Sequence, residues 1–111
     1  MRPVVDYSGR SQIGRASFYS PRAEGRRTAS GARYSSRRMT AASRTLPLGA
    51  TARVTNTENG RSAEVAITDR GPFAKGRIMD LSPAAALKLV LSARGVAHVR
   101  IEPLRLPKGG R

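Results

Sequence analysis

A chain of 111 residues with 39% apolar side chains is one domain with a modest core. It carries 21 Lys and Arg against 7 Asp and Glu, a formal charge of +14, and all but three of the cations are arginine, so its surface concentrates anionic partners. With no cysteine and a single histidine, His98, disulfides, thiolate chemistry, Cys-based zinc sites and a His-rich metal centre are excluded.

Residues 1–12 show no periodicity and read as a flexible lead-in. They contain an arginine but no apolar h-region, so they are not a secretory signal as they stand. A cytoplasmic protein, another export route and a start further upstream all stay open. No apolar run is long enough to span a membrane as a helix.

The first strand is expected over residues 15–20, with Ala16, Phe18 and Ser20 on one face and Ser17 and Tyr19 on the other, stopped by Pro21. Residues 21–38 are polar and rich in Gly, Ser and Arg. A loop of this length in a small domain points to function. It holds the small-residue cluster Thr28-Ala29-Ser30-Gly31 and a Tyr34 expected to be exposed. Residues 39–43 form a short strand, and 44–49 a turn with two apolar anchors. A hairpin follows: 51–56 alternates, Asn59-Gly60 turns, and 61–68 returns with Ala63, Val65 and Ile67 inward.

That return strand delivers Asp69, next to Arg70 and just before the Gly71-Pro72 turn, where the backbone can present a side chain to a ligand. Residues 77–81 form a further strand ending beside a second acid, Asp80. Ser82 then reads as a helix N-cap with Pro83 at the first helical position. The helix over 84–91 is expected to end near Gly95, and its apolar residues run almost all round, which predicts burial. The last strand, 96–104, turns Ala97, Val99 and Ile101 inward and leaves His98 on the polar face. Residues 106–111 read as a disordered tail, so the domain occupies 13–105. Several short strands and one short buried helix suit a sheet closed on itself, with the helix plugging a gap.

The order of the motifs resembles the RlpA-like (rare lipoprotein A) family. The runs that carry the resemblance are GRASFY at 14–19, TASG at 28–31, TAASRTLPLG at 40–49, VTNTENGR at 54–61 and DRGPFAKGRIMDLS at 69–82. The resemblance implies a mainly β fold, a six-stranded double-psi β-barrel with one or two short helices, related to barwin and expansins. It implies a septal or cell-wall protein of the envelope or periplasm, working without a metal or other cofactor. The implied activity is that of an endolytic lytic transglycosylase on peptidoglycan glycan strands stripped of stem peptides, leaving 1,6-anhydromuramyl ends. One carboxyl group can shuttle the proton from the attacking 6-hydroxyl to the leaving oxygen.

Carried over residue by residue, the catalytic acid is Asp69. Tyr19 and Tyr34 are candidates for stacking on sugar faces. Arg44 and Arg70 are candidates for gripping the lactyl carboxylate of muramic acid. Ser30, Thr40 and Ser43 are candidates for lining the groove. The chain departs from the family pattern in three places: Ala32 stands where the pattern has Glu, residues 33–38 lack the further acid that usually follows, and Ser43 stands where the pattern has His. Ser43 can hydrogen-bond but does not titrate near neutrality. The alternative reading is therefore a peptidoglycan-binding or expansin-like module that keeps the groove and loses the chemistry. A nucleic-acid binder is disfavoured, because the arginines are scattered and no aromatic platform is evident.

Overall fold

Six strands and one helix form in the order β1 (Gln12–Phe18), β2 (Thr40–Ser43), β3 (Thr51–Asn56), β4 (Ser62–Asp69), β5 (Arg77–Leu81), α1 (Pro83–Leu89) and β6 (Val96–Arg105). The computed structural model describes residues 5–18, 24–91 and 95–108. The strands close into a barrel in the order β1-β5-β2-β4-β3-β6. β1 runs parallel to β5 and β2 parallel to β4, and the other neighbours are antiparallel. Closure pairs every strand on both sides and leaves no open edge.

Alternation fills the interior. Ala52 and Val54 on β3, Ala63, Val65 and Ile67 on β4, and Ala97, Val99 and Ile101 on β6 are all buried. Many of the inward residues are alanines because a barrel of six strands is narrow. Leu46, Met79, Leu81 and Leu89 complete the core. Half-buried Gly14 lets β1 lie close to Ile78 of β5: a Cβ there would stand 2.8 Å from Ile78 Cδ1, so that side chain would have to shift.

β1 departs from the expected strand. It starts at Gln12, earlier than predicted, and Ala16 and Ser17 are both buried whereas Phe18 is half exposed. The register with β5 shifts between Arg15 and Ala16, so strict alternation breaks at that point. The turned-in Ser17 hydroxyl donates to Asp80 at 2.8 Å. Asp80 also lies 3.9 Å from Arg77, so this second acid ties β1 to β5.

The helix begins as predicted. Ser82 caps it, its Oγ accepting from Ala85 N–H at 3.2 Å, with Pro83 following. It ends sooner than predicted, at Leu89, with Val90 in the left-handed region at φ 51°. The hairpin supplies the stop. Asn56 and Asn59 Nδ2 donate to the Leu89 carbonyl at 3.1 and 3.0 Å, satisfying a group that a longer helix would have used. Burial all round is also corrected: Ala85, Ala86 and Leu89 face the barrel, but Leu87 is 80% exposed. A helix of two turns laid on a barrel buries one stripe, and hydrophobicity on the other side does not change that.

Candidate functional site

Three separate stretches meet at the C-terminal end of β4. The long loop between β1 and β2 is not structureless. Gly25 N–H donates to Tyr34 C=O, Tyr34 N–H to Arg26 C=O and Thr28 N–H to Ala32 C=O, and Arg27 opposes Arg33 in an antiparallel bridge. These bonds make a small hairpin whose tip is Thr28–Gly31. Thr28 Oγ1 donates to Ala32 C=O at 2.7 Å and sits 2.9 Å from the Ser30 hydroxyl, which shapes the tip.

The tip docks on the end of β4. Ser30 N–H donates to Thr68 C=O at 3.0 Å. Ala29 N–H donates to Asp69 Oδ1 at 2.9 Å, and Arg70 N–H donates to the same oxygen at 2.9 Å. The carboxylate is half buried and held by two backbone donors from stretches far apart in sequence.

The third stretch is the turn after β2. Ser43 is buried, and its Oγ accepts from Thr45 N–H at 3.2 Å and Leu46 N–H at 3.0 Å. Arg70 Nη1 donates to the carbonyls of Ser43 at 2.8 Å and Leu46 at 2.6 Å. Arg44 Nη1 donates to Pro72 C=O at 2.9 Å. The two guanidinium groups therefore tie the β2–β3 turn to the turn that follows Asp69. Each guanidinium, expected to meet a ligand, has one nitrogen bonded to backbone carbonyl oxygen.

The sequence candidates thus divide. Asp69, Ser30, Ser43, Arg44 and Arg70 come together at this end of the barrel. Thr40 does not: it starts β2, where its C=O accepts from Ser82 N–H at 2.9 Å, and it belongs to the helix cap. Tyr19 lies outside the described residues. Tyr34 is corrected outright. It is 4% exposed, not presented to solvent, in a hairpin whose backbone bonds hold Tyr34 against Gly25 and Arg26. Burial pushes its phenol up to about 12, helped by the nearby Glu24 carboxylate. His98 is exposed on β6 and takes no part. Among the described residues, no three His, Cys, Asp or Glu side chains gather where they could hold a metal ion.

With this geometry in place, the chain can be compared with known proteins. A family profile described as lytic transglycolase (DPBB_1) matches residues 11–101, which take in all three stretches of the site. The chain belongs to the lytic transglycolase family of double-psi β-barrels. The barrel also superposes on solved structures. A Streptomyces papain inhibitor matches with TM-score 0.69 and 26% identity, over 87% of this chain and 96% of that one. The apo expansin of Clavibacter michiganensis matches with TM-score 0.65 and 22% identity, over 90% of this chain and 53% of the expansin. A mutant of that expansin in complex with cellohexaose matches with TM-score 0.64 and 20% identity, over the same shares. The chain thus spans about half the length of the expansin. At that identity the expansin likeness is one of fold. No curated protein sequence matches significantly.

Two features of this lytic transglycolase barrel escape sequence reasoning. One is the Ala29 N–H on Asp69, because a backbone donor leaves no mark in residue type. The other is Phe73, 75% exposed, whose ring lies 3.6 Å from where a Gly71 Cβ would stand. Its place in the DRGPF run was visible, but whether the ring packs inward or outward depends on the turn that carries it.

Proposed function

We propose that this chain is an RlpA-like protein of the cell envelope that binds peptidoglycan glycan strands stripped of stem peptides and cleaves them as a lytic transglycosylase. The observation that supports this reading best is the 2.9 Å bond from Ala29 N–H to Asp69 Oδ1. It joins the TASG and DRGPF motifs, which lie far apart in the chain, at one half-buried carboxylate. The mutant expansin, which shares this barrel fold over about half its length, was solved in complex with the oligosaccharide cellohexaose, which is consistent with a glycan ligand.

In the proposed reaction the protonated Asp69 gives its proton to the glycosidic oxygen as the bond to the anomeric carbon breaks. The muramic 6-hydroxyl attacks that carbon and returns its proton to the carboxylate, closing the 1,6-anhydro ring. Two backbone donors, Ala29 N–H and Arg70 N–H, fix Oδ1 and so orient the carboxyl group. Phe73, exposed in the turn that follows Asp69, offers an apolar face for a sugar ring. The test is digestion of stripped sacculi with the purified protein, followed by mass spectrometry. Fragments ending in 1,6-anhydromuramic acid are the expected result. Folded protein that releases none contradicts cleavage.

Binding without cleavage is the second reading, favoured by Ser43. Where the family pattern has a titratable His, this chain has a buried hydroxyl spent on two turn N–H groups. Ala32 likewise offers no acid. Retention of the protein on insoluble stripped peptidoglycan with no product marks this reading. Inhibition of papain with no retention contradicts both and follows the Streptomyces neighbour instead.

A further inference from the structure

The loop that carries the tip, residues 21–38, contains six arginines and one acid, Glu24. Glu24 accepts from Ser36 N–H at 2.8 Å, at the far side of the hairpin from the tip. Arg27 and Arg33 stand directly opposite each other in the antiparallel bridge, so their side chains leave the hairpin on the same face. Like charges in that relation repel and destabilise the pairing. Each guanidinium is nonetheless anchored: Arg27 Nη1 donates to Gly31 C=O at 2.8 Å, and Arg33 Nη1 donates to Gly25 C=O at 3.0 Å. Each anchor uses one nitrogen of a fork with five N–H donors. Both residues are exposed, and the tip between them rests on Thr68 and Asp69.

We propose that Arg27 and Arg33 form a clamp for a carboxylate on the polymer that lies along Asp69. This inference rests on the glycan reading above and assigns the recognition of negative charge to Arg27 and Arg33, which are exposed, whereas Arg44 and Arg70, each also bonded through one nitrogen, are half buried between the turns. The anchors draw Arg27 towards the tip and Arg33 towards Gly25, and a carboxylate that reaches the remaining N–H donors of both side chains gains charge-assisted hydrogen bonds from each. The lactyl group of a stripped muramic acid residue has that chemistry. Chitin, a β-1,4 polymer of N-acetylglucosamine, lacks it and serves as the neutral comparison.

The test measures co-sedimentation with stripped peptidoglycan and with chitin at low salt. It compares wild type, the pair Arg27→Gln/Arg33→Gln, and a control pair Arg61→Gln/Arg100→Gln that removes the same charge from exposed sites elsewhere. Wild type is expected to prefer stripped peptidoglycan by about tenfold or more. The clamp pair is expected to lose most of that preference, the control pair to keep it, and all three to melt alike. A clamp pair that keeps the preference, or a control pair that loses as much, overturns the proposal. Competition by duplex DNA that vanishes in the clamp pair as completely as glycan preference does overturns it in favour of a nucleic-acid site. Equal wild-type binding to chitin and stripped peptidoglycan overturns the clamp alone. Binding to neither polymer overturns the glycan reading itself.

Discussion

Asp69→Asn is expected to lower the release of anhydromuramyl ends by about 100-fold or more while the protein stays folded. An asparagine keeps an oxygen where Ala29 N–H and Arg70 N–H both donate, so the hairpin tip stays docked. What it removes is the proton that moves between the 6-hydroxyl and the glycosidic oxygen. Asp69→Ala differs, because it strips the acceptor and leaves two donors without their oxygen. It is expected to free the tip as well as stop the reaction. Equal residual activity in Asp69→Asn and wild type rules out Asp69 as the acid, whatever the binding data show.

Arg70→Met is expected to destabilise the fold by about 2–3 kcal/mol, since it removes charge-assisted hydrogen bonds to two part-buried carbonyls. In a domain of this size that corresponds to a fall in melting temperature on the order of 10 °C. Glycan binding should fall too, because the turn after β2 loses its tie to the segment that carries Asp69. Arg44→Met, which breaks one bond to Pro72 C=O, should do the same to a smaller degree. If Arg70→Met melts with wild type yet loses selectivity for stripped glycan over chitin, the guanidinium is a ligand group and not a staple. Thermal melts followed by circular dichroism, paired with co-sedimentation, decide between the two.

The hairpin of β3 and β4 was legible in the sequence because its side chains alternate and Asn59-Gly60 turns it. That alternation also placed Asp69 at a strand end. The helix start was legible for a similarly local reason, the Ser82 cap before Pro83. The closed six-stranded barrel followed from the order of five motifs, none of which specifies it alone. What stayed hidden depends on partners distant in the chain. The bulge in β1 arises from its register with β5. The end of the helix is set by Asn56 and Asn59, some 30 residues earlier. Tyr34 sits in a stretch so polar that exposure was the natural expectation, yet in the hairpin its side chain is buried. Arg44 and Arg70 look like ligand groups from residue type, and only their geometry shows them bonded to carbonyls.

The central claim is that the glycan lies where the TASG tip meets Asp69. Amide chemical-shift mapping by NMR, titrating ¹⁵N-labelled protein with a soluble stripped glycan oligomer, tests it most directly. Ala29 N–H and Arg70 N–H both report on Asp69 Oδ1, so they are expected to shift first, together with Ser30 and Phe73. Shifts confined to the outer face of β1 and β6 around His98, or to the apolar surface of Leu87 and Val90, with Ala29 and Arg70 unmoved, contradict it.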